Sequence, residues 1–451
     1  MVTITPDTAV RADANHPNTE ISEKLDRIYN LHNRDIDFRL EGSPYELFLE
    51  RLGNPHLDLP PVIHVAGTNG KGSTLSMLRS ILNQNGYKTH TLTSPHLICF
   101  NERIMLSDKE ISDDVLSQTL DTLWDQVDDL PLTFFEFTTA LGFYLFSAHK
   151  NDADFLLLEV GMGGRLDCTN IIKDKALAII THIGYDHMQF LGDSIDKIAA
   201  EKGGIITNGT PTVIAAQHYA DAQKTLIDIA QKKHAKTYLA AQTHSTYDLS
   251  RLSLCGSHQK DNATTALSAV TALENQGYIF QRDKIQQGLE TAQWRARLQD
   301  ITPQSIKHCA LHGRNIRILL DGGHNLSAAL AIKEFLIECK RNDPEPTANY
   351  LLFGMQASRD PASFLEPIAP YFDRIGTLPI QTGHHPQTAN ALAEIIKEVS
   401  GLQAYAYSDF KNAITEIINL HSAQMPLRII IAGSLYLAGE VLTQLQQKTD
   451  R

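Results

Sequence analysis

A chain of 451 residues with 42% apolar and 20% charged residues reads as a globular protein too long for one core, so two or three domains are expected. A net charge of −12 without a basic tract argues against nucleic acid as a partner, and no apolar run reaches the length of a membrane span. The five cysteines, Cys99, Cys168, Cys255, Cys309 and Cys339, are scattered without a C-x-x-C pair, which fits a reducing cytoplasm rather than a disulfide framework or zinc knuckle.

Residues 1–20 are polar, lack the apolar core of a secretory signal and read as a disordered tail. At 61–74 stands PVIHVAGTNGKGST. An apolar run (Val62, Ile63, Val65) enters a glycine-rich turn, followed by Lys71, Ser73, Thr74 and a helical segment from Leu75 to Asn83. Strand, glycine loop and helix N-terminus make a phosphate cradle. Backbone N–H groups converge on the anion, the helix dipole adds positive potential, and Lys71 adds a full charge. A hydroxyl after the lysine is the usual magnesium ligand. The common P-loop pattern would put glycine at 65, where Val65 stands, and a hydroxyl directly after Lys71, where Gly72 intervenes. The plain alternative is a glycine turn with a surface lysine.

Further along, FLLLEVG (155–161), ALAIITHI (176–183) and TVIAA (212–216) read as buried strands, with helices near 75–84, 113–127, 134–149 and 194–202. This alternation predicts parallel β-α-β units in a doubly wound sheet, with ligands at the carboxyl ends of the strands. LLLEVGMGGRLDCTN (156–170) puts Glu159 at such an end, as a metal ligand or a loop cap. Leu166 stands where a dinucleotide fingerprint needs glycine. THIGYDHMQFLG (181–192) clusters His182, Asp186 and His187, and imidazole suits manganese better than magnesium. Lys202 closes a short helix from Ser194 ahead of Gly203 and Gly204, where a cation complements the dipole.

A second alternating block starts near residue 314. RNIRILLDGG (314–323), NYLLFG (349–354) and RIIIAGS (428–434) read as strands, with helices near 326–341, 389–400 and 436–447. The polar segment 294–307 marks the boundary, giving domains at 21–297 and 298–451. Two α/β domains with a cleft between them suit an enzyme that joins ATP to a second substrate.

Nine segments in this order resemble the folylpolyglutamate synthase and dihydrofolate synthase family of the Mur ligase superfamily. They are HVAGTNGKGST (64–74), TSPHL with FNERI (93–104), LTFFEFTTALGF (132–143), LEVGMGGRLDCTN (158–170), DHMQFLG (186–192), EKGGI (201–205), HQKDNATTAL (258–267), LDGGHN (320–325) and AGSLYLAGE (432–440). The resemblance implies an N-terminal P-loop ATPase-like doubly wound domain and a C-terminal Rossmann-like α/β domain. It also implies an ATP-dependent amide ligase. ATP phosphorylates a pterin-linked carboxylate, L-glutamate attacks the acyl phosphate, and ADP and phosphate leave. The acceptors would be dihydropteroate and reduced folates, with two magnesium ions as cofactors and manganese as the alternative. A cytoplasmic monomer without nucleic-acid or membrane partners is expected.

Carried across by position, Asn69, Gly70, Lys71, Gly72, Ser73 and Thr74 would bind the ATP phosphates, with Asn262, Arg297 and Asp321 as further ATP contacts. Ser73, Ser94, Glu159 and His187 would hold metal. Lys202 matches a lysine carried as a carbamate, and Lys71 and His324 would join it in catalysis. His324 and Ser434 match glutamate contacts. Asn30, Leu31 and His32 (with Asp35 to Asp37), Thr133, Phe134, Phe135, Glu136, Leu166, Asp167 and Cys168 match the pterin side. Phe134 and Phe135 read equally as core aromatics.

This chain departs from the family pattern in places. DGGHNL replaces D-x-A-H-N-P, WRARL replaces P-G-R and leaves Arg295 as a rival to Arg297, Cys168 stands for a small residue, and the segment 236–258 is short. A cell-wall amino-acid ligase would need a uridine-nucleotide domain ahead of Pro61, where the chain is short for one. A P-loop kinase or an inactive nucleotide-binding module are the competing classes; Lys71, Glu159, His187 and Lys202 together speak against the inactive one.

Overall fold

The computed structural model describes residues 14, 16–32, 40–240, 246–309, 315–382, 387–421 and 425–446. They fall into two compact units: His16–Leu254 with His258–Trp294, and Cys255–Ser257 with Arg295–Arg451. The expected tail gives way before residue 20. His16 is buried with its Nε2 2.8 Å from Asn101 Oδ1, and a helix starts at Thr19. Asn18 caps that helix by accepting from Glu20 N–H, and Ile21, Leu25 and Ile28 lock it to the core.

The first unit is built on eight strands: β1 (Val62–Ala66), β2 (Thr89–Leu92), β3 (Ile104–Leu106), β4 (Lys109–Glu110), β5 (Phe155–Glu159), β6 (Leu177–Ile180), β7 (Thr212–Ile214) and β8 (Thr237–Leu239). Their order is β4-β3-β2-β5-β1-β6-β7-β8. From β2 to β8 every pair is parallel, as the helical crossovers require. At the other edge β3 and β4 run antiparallel, where alternation alone predicted only parallel pairs. Here the chain returns through a tight turn (Ser107 and Asp108, both at positive φ) instead of a helix. All five residues of β1 and of β5 are buried, so helices cover both faces of the sheet centre. Val65 pairs in register with Glu159, which sets that carboxylate beside the end of β1.

The second unit carries β9 (Gln299–Asp300), β10 (Ile316–Leu320), β11 (Ala348–Phe353), β12 (Arg374–Thr377), β13 (Ala404–Ala406) and β14 (Leu427–Ala432) in the order β13-β12-β11-β14-β10-β9. Among the described strands of this unit only the β9–β10 pair is antiparallel. Leu319, Phe353, Ile375 and Ile430 meet Ile332, Phe364 and Leu392 from the helices in its core. Among the described residues no helix is long and apolar enough to cross a membrane.

Candidate active site

The loop after β1 has the geometry of a phosphate cradle. Gly70 caps the helix Lys71–Gln84 at φ 86°, a left-handed conformation that costs glycine nothing and turns the chain sharply into the helix. The helix therefore starts four residues before the sequence pattern placed it. Thr74 N–H is the first donor spent inside the helix, on Gly70 O at 2.9 Å. Helix geometry leaves the N–H groups of Lys71, Gly72 and Ser73 directed into the loop. Thr74 itself is fully buried, so its side chain belongs to the core. Gly72 is required by close approach: a Cβ there would lie 2.4 Å from the Trp294 indole. The loop is tied to the end of β6 by Thr68 N–H and Asn69 N–H, which donate to His182 O at 2.9 and 3.3 Å, and by Thr181 Oγ1, which donates to Asn69 O at 2.8 Å. Asn262, from the helix His258–Glu274, packs its amide against Gly70 and is oriented by Gln259 Oε1 at 2.9 Å.

Two lysines converge on one carbonyl. Lys71 Nζ donates to Gly67 O at 3.2 Å and Lys202 Nζ to the same oxygen at 3.1 Å. Lys71 also lies 3.9 Å from Glu159 Oε1, while Glu159 Oε2 accepts from Ser94 N–H at 3.3 Å. Lys202 is buried, and burial with the neighbouring Lys71 charge pushes its amine down to about 7. Its helix, Ile195–Gly203, thus ends on an amine that gives up its proton more readily than an ordinary lysine. His187 stands at φ 50° with its N–H on Asp186 Oδ1 at 2.9 Å and its Nε2 3.9 Å from that oxygen. Ser73 sits in the first turn of the phosphate helix.

The described residues hold no cluster of three or more His, Cys, Asp or Glu placed to bind a metal. Glu159 supplies the carboxylate a hard cation prefers, whereas the His187 imidazole is a donor better suited to a transition metal such as manganese.

The pterin-side residues divide. Thr133 and Glu136 form a capping box for the helix Phe134–Ala148: Glu136 N–H donates to Thr133 Oγ1 at 3.1 Å, and Thr133 N–H to Glu136 Oε2 at 2.7 Å. Phe134 is buried, its ring 5.5 Å from Tyr29 and 6.2 Å from Phe100. Phe135 is half-buried and lies against Gly161. Asp167 is buried and accepts from Met162 N–H at 2.9 Å and Thr169 N–H at 3.0 Å, so its carboxylate shapes the glycine loop after β5. Cys168 is buried against Thr139 Oγ1 at 3.3 Å, and burial pushes its thiol well up. Leu166 is half-buried nearby in the chain. Asn30 and Leu31 occupy a short 3-10 turn; the His32 side chain and Asp35 to Asp37 lie outside the described residues.

In the second unit, Asp321 Oδ2 accepts from Leu298 N–H at 2.8 Å and its Oδ1 from Gly323 N–H at 2.7 Å. The carboxylate thereby fixes the turn that carries Arg297. Gly433 N–H donates to Gly323 O at 3.0 Å, which draws the His324 and Ser434 loops together at the ends of β10 and β14. His324 Nδ1 lies 3.1 Å from Gly322 O, and Ser434 Oγ accepts from Tyr436 N–H at 3.1 Å. Sequence reasoning missed Trp294 and Lys175. Trp294 gives no signal as a loop neighbour because its contact with Gly72 spans the whole first unit. Lys175 lies in an unremarkable polar stretch before β6.

A parallel sheet with a glycine phosphate loop at its centre, a buried near-neutral lysine beside it and a second α/β unit define a Mur-type ATP-dependent ligase. Residues 65–272 match the Mur ligase middle domain, and residues 304–444 match the C-terminal domain of dihydrofolate synthetase. The dihydrofolate synthase/folylpolyglutamate synthase of Haemophilus influenzae is 30% identical over 439 residues, covering 93% of this chain and 96% of that protein. E. coli FolC in complex with DHPP and ADP superposes with a TM-score of 0.80 at 26% identity, covering 95% of this chain and 98% of that one. The bifunctional folylpolyglutamate synthase/dihydrofolate synthase of Yersinia pestis complexed with AMPPNP and Mn ion gives 0.77 at 27% identity, covering 96% and 99%. This chain belongs to the dihydrofolate synthase/folylpolyglutamate synthase family.

Proposed function

We propose that this chain joins L-glutamate to dihydropteroate, giving dihydrofolate, and to the γ-carboxyl of reduced folates. The observation that carries the reading is the meeting of Lys71, Lys202 and, through Lys71, Glu159 at the Gly67 carbonyl of the phosphate loop. A carboxylate is a poor electrophile because it would have to expel oxide. Its oxygen attacks the γ-phosphorus of ATP and ADP leaves. The glutamate amine then attacks the acyl phosphate carbon, inorganic phosphate leaves, and the amine proton passes to a base.

Lys71 and the first-turn N–H groups stabilise the charge on the transferred phosphoryl group. Ser73, Ser94, Glu159 and His187 would hold magnesium, or manganese in its place, which would supply positive charge against the phosphate oxygens. A neutral Lys202 amine can take up CO2, and the carbamate replaces a cation with an anion next to Lys71. Asn69, Gly70, Gly72 and Asn262 contact the nucleotide in this reading, with Thr74 acting through the helix turn it closes. Arg297, on the turn that Asp321 fixes through Leu298 and Gly323 N–H, adds a cation, and His324 and Ser434 receive glutamate. On the acceptor side Phe135 offers a ring face and Leu166 a flank, whereas Thr133, Glu136, Asp167 and Cys168 shape the pocket wall. Phe134 supports it from the core, and Asn30 and Leu31 close it. The protein works as a cytoplasmic monomer.

The test is phosphate release from ATP with glutamate plus either dihydropteroate or a reduced folate monoglutamate. Both acceptors should support release, and none should occur without glutamate. Response to one acceptor alone would reduce the activity to a monofunctional synthase. Glutamate-independent release would overturn the ligase reading.

A further inference from the structure

The last residues of the helix Ile195–Gly203 set where Lys202 points, and helix ends fray unless their carbonyls find partners. In this chain one connection, residues 164–175, meets them. Arg165 N–H donates to Glu201 O at 2.8 Å, and the Arg165 guanidinium grips Glu201 Oε1 at 3.0 and 2.9 Å. Contact is so close at Gly164 that a Cβ there would stand 2.8 Å from Glu201 O and 2.9 Å from Lys202 O. Asn170 Nδ2 donates to both Arg165 O and Gly204 O, each at 3.1 Å, and so pins the loop to the residue after the helix.

Lys175 completes this joint. Its ammonium donates to Asn170 Oδ1 at 2.6 Å and to Ile205 O at 2.8 Å, and the residue is only 8% exposed. Both acceptors are uncharged, and burial pushes the amine down to about 7. Holding a proton on an amine buried without a carboxylate is costly. It is offset here by the negative end of the helix and by two well-made hydrogen bonds. The side chain spans from the start of β6 to the segment that leaves the Lys202 helix. Asn170 thus has its Oδ1 on Lys175 and its Nδ2 on Gly204 O.

We infer that Lys175, acting through Asn170, is a positioning residue for Lys202, clamping the carboxyl end of its helix so that the Lys202 amine is held at the Gly67 carbonyl. The inference rests on the carbamate reading of Lys202 and adds to it a residue that no family motif quoted above contains. Lys175 touches no substrate in this role. Its effect is on how readily Lys202 takes up CO2, because a mobile helix end spreads the amine over positions where the carbamate is unsupported.

The experiment uses the full chain, freed of bicarbonate and then titrated with 13C-bicarbonate. The carbamate carbon is followed by NMR, and ATP-dependent ligation is followed in parallel. Wild type should show a carbamate signal that Lys202→Ala lacks. Lys175→Met keeps the aliphatic stem and removes the ammonium; it should need about tenfold more bicarbonate for half occupancy, by analogy with removal of the outer partner of a metal ligand. Its KM for ATP should stay unchanged. Lys175→Gln, which keeps a donor, should recover part of the loss. Asn170→Ser shortens the other arm with Lys175 in place and should show the same shift, which covers the case of Lys175→Met failing to fold. Normal bicarbonate dependence in folded Lys175→Met or in Asn170→Ser overturns the clamp and leaves the carbamate standing. Absence of any carbamate signal in wild type overturns the reading of Lys202 itself.

Discussion

Each unit presents a cation at a sharp bend, and the two bends are built in opposite ways. In the phosphate loop the left-handed position belongs to Gly70 at φ 86°, and the bend carries no side-chain strain. In the turn around Arg297 the left-handed positions belong to Ala296 at φ 54° and Leu298 at φ 45°. That turn is held by force of hydrogen bonds. Asp321 accepts from Leu298 N–H and Gly323 N–H, while Ala296 O accepts from Gly322 N–H at 2.9 Å and Arg297 Nη1 at 2.8 Å. A glycine bend lets backbone reach an anion. A bend of side-chain-bearing residues in left-handed backbone must be over-determined by its surroundings, and such strain persists where an exact side-chain direction is needed. Lys71 thus stands at a helix start among N–H groups, whereas Arg297 stands on a braced turn with its Nη1 on Ala296 O.

The largest test of this contrast removes the cation of the phosphate loop. Lys71→Ala should lower kcat by roughly 100- to 1,000-fold, the scale of losing one preorganised charge stabiliser, with little change in Tm. Full activity would sink the mechanism. Next comes the brace: Asp321→Ala strands the Leu298 and Gly323 N–H groups, at about 1–3 kcal/mol for each one left buried without a partner. Denaturant unfolding should report the loss, whereas Lys71→Ala should leave unfolding unchanged. Gly72→Ala drives a methyl into the Trp294 ring and should cost about 1–3 kcal/mol by overpacking. Combining it with Trp294→Leu should recover part of that loss, since the smaller side chain opens the space.

How far the sequence discloses the molecule follows the same division. The order of strands and helices is legible because buried parallel strands are short apolar runs, and the phosphate loop is legible because its chemistry is local: strand, glycines, lysine, hydroxyl. Glu159 is legible as a strand end. What escapes is whatever depends on contacts between distant segments. Thr74 reads as a phosphate contact, and its burial in the first turn of a helix that begins at Lys71 is not visible in the motif. Thr133 and Glu136 read as pocket residues and form a capping box, a local pattern whose two roles sequence does not separate. Asp167 reads as a pterin-side residue and Asp321 as an ATP contact, and sequence gives no sign that each also accepts from backbone N–H groups. Lys175 gives no signal because its partners, Asn170 and Ile205, lie on two other segments.

Titration separates the units further. The ordinary lysine value of 10.5 applies to the unfolded chain, whereas Lys175 and Lys202 in the first unit are pushed to about 7. Between those values the unfolded chain binds more protons than the folded one, so stability rises as pH rises from about 7 toward 10. Below pH 7 both states are protonated and the dependence fades. Lys175→Met should flatten this rise, seen as a smaller gain in Tm between pH 7 and 9 than wild type shows. An unchanged slope would mean that the amine is not held buried in the folded state.

The smallest expected effect bears most directly on the contrast. If Ala296 is strained, Ala296→Gly removes the left-handed penalty of about 1–2 kcal/mol and adds unfolded-state entropy worth about 0.4–1 kcal/mol. The difference favours the variant by roughly 0.5 kcal/mol, readable as a small rise in the denaturant midpoint. The same substitution loosens the turn, so the KM for ATP should rise if Arg297 depends on being displayed in one direction. A variant both more stable and weaker toward ATP would show that the strain at Ala296 serves the direction of Arg297. Lower stability would show instead that the surroundings of Ala296 favour its methyl, and the two bends would then differ in composition alone.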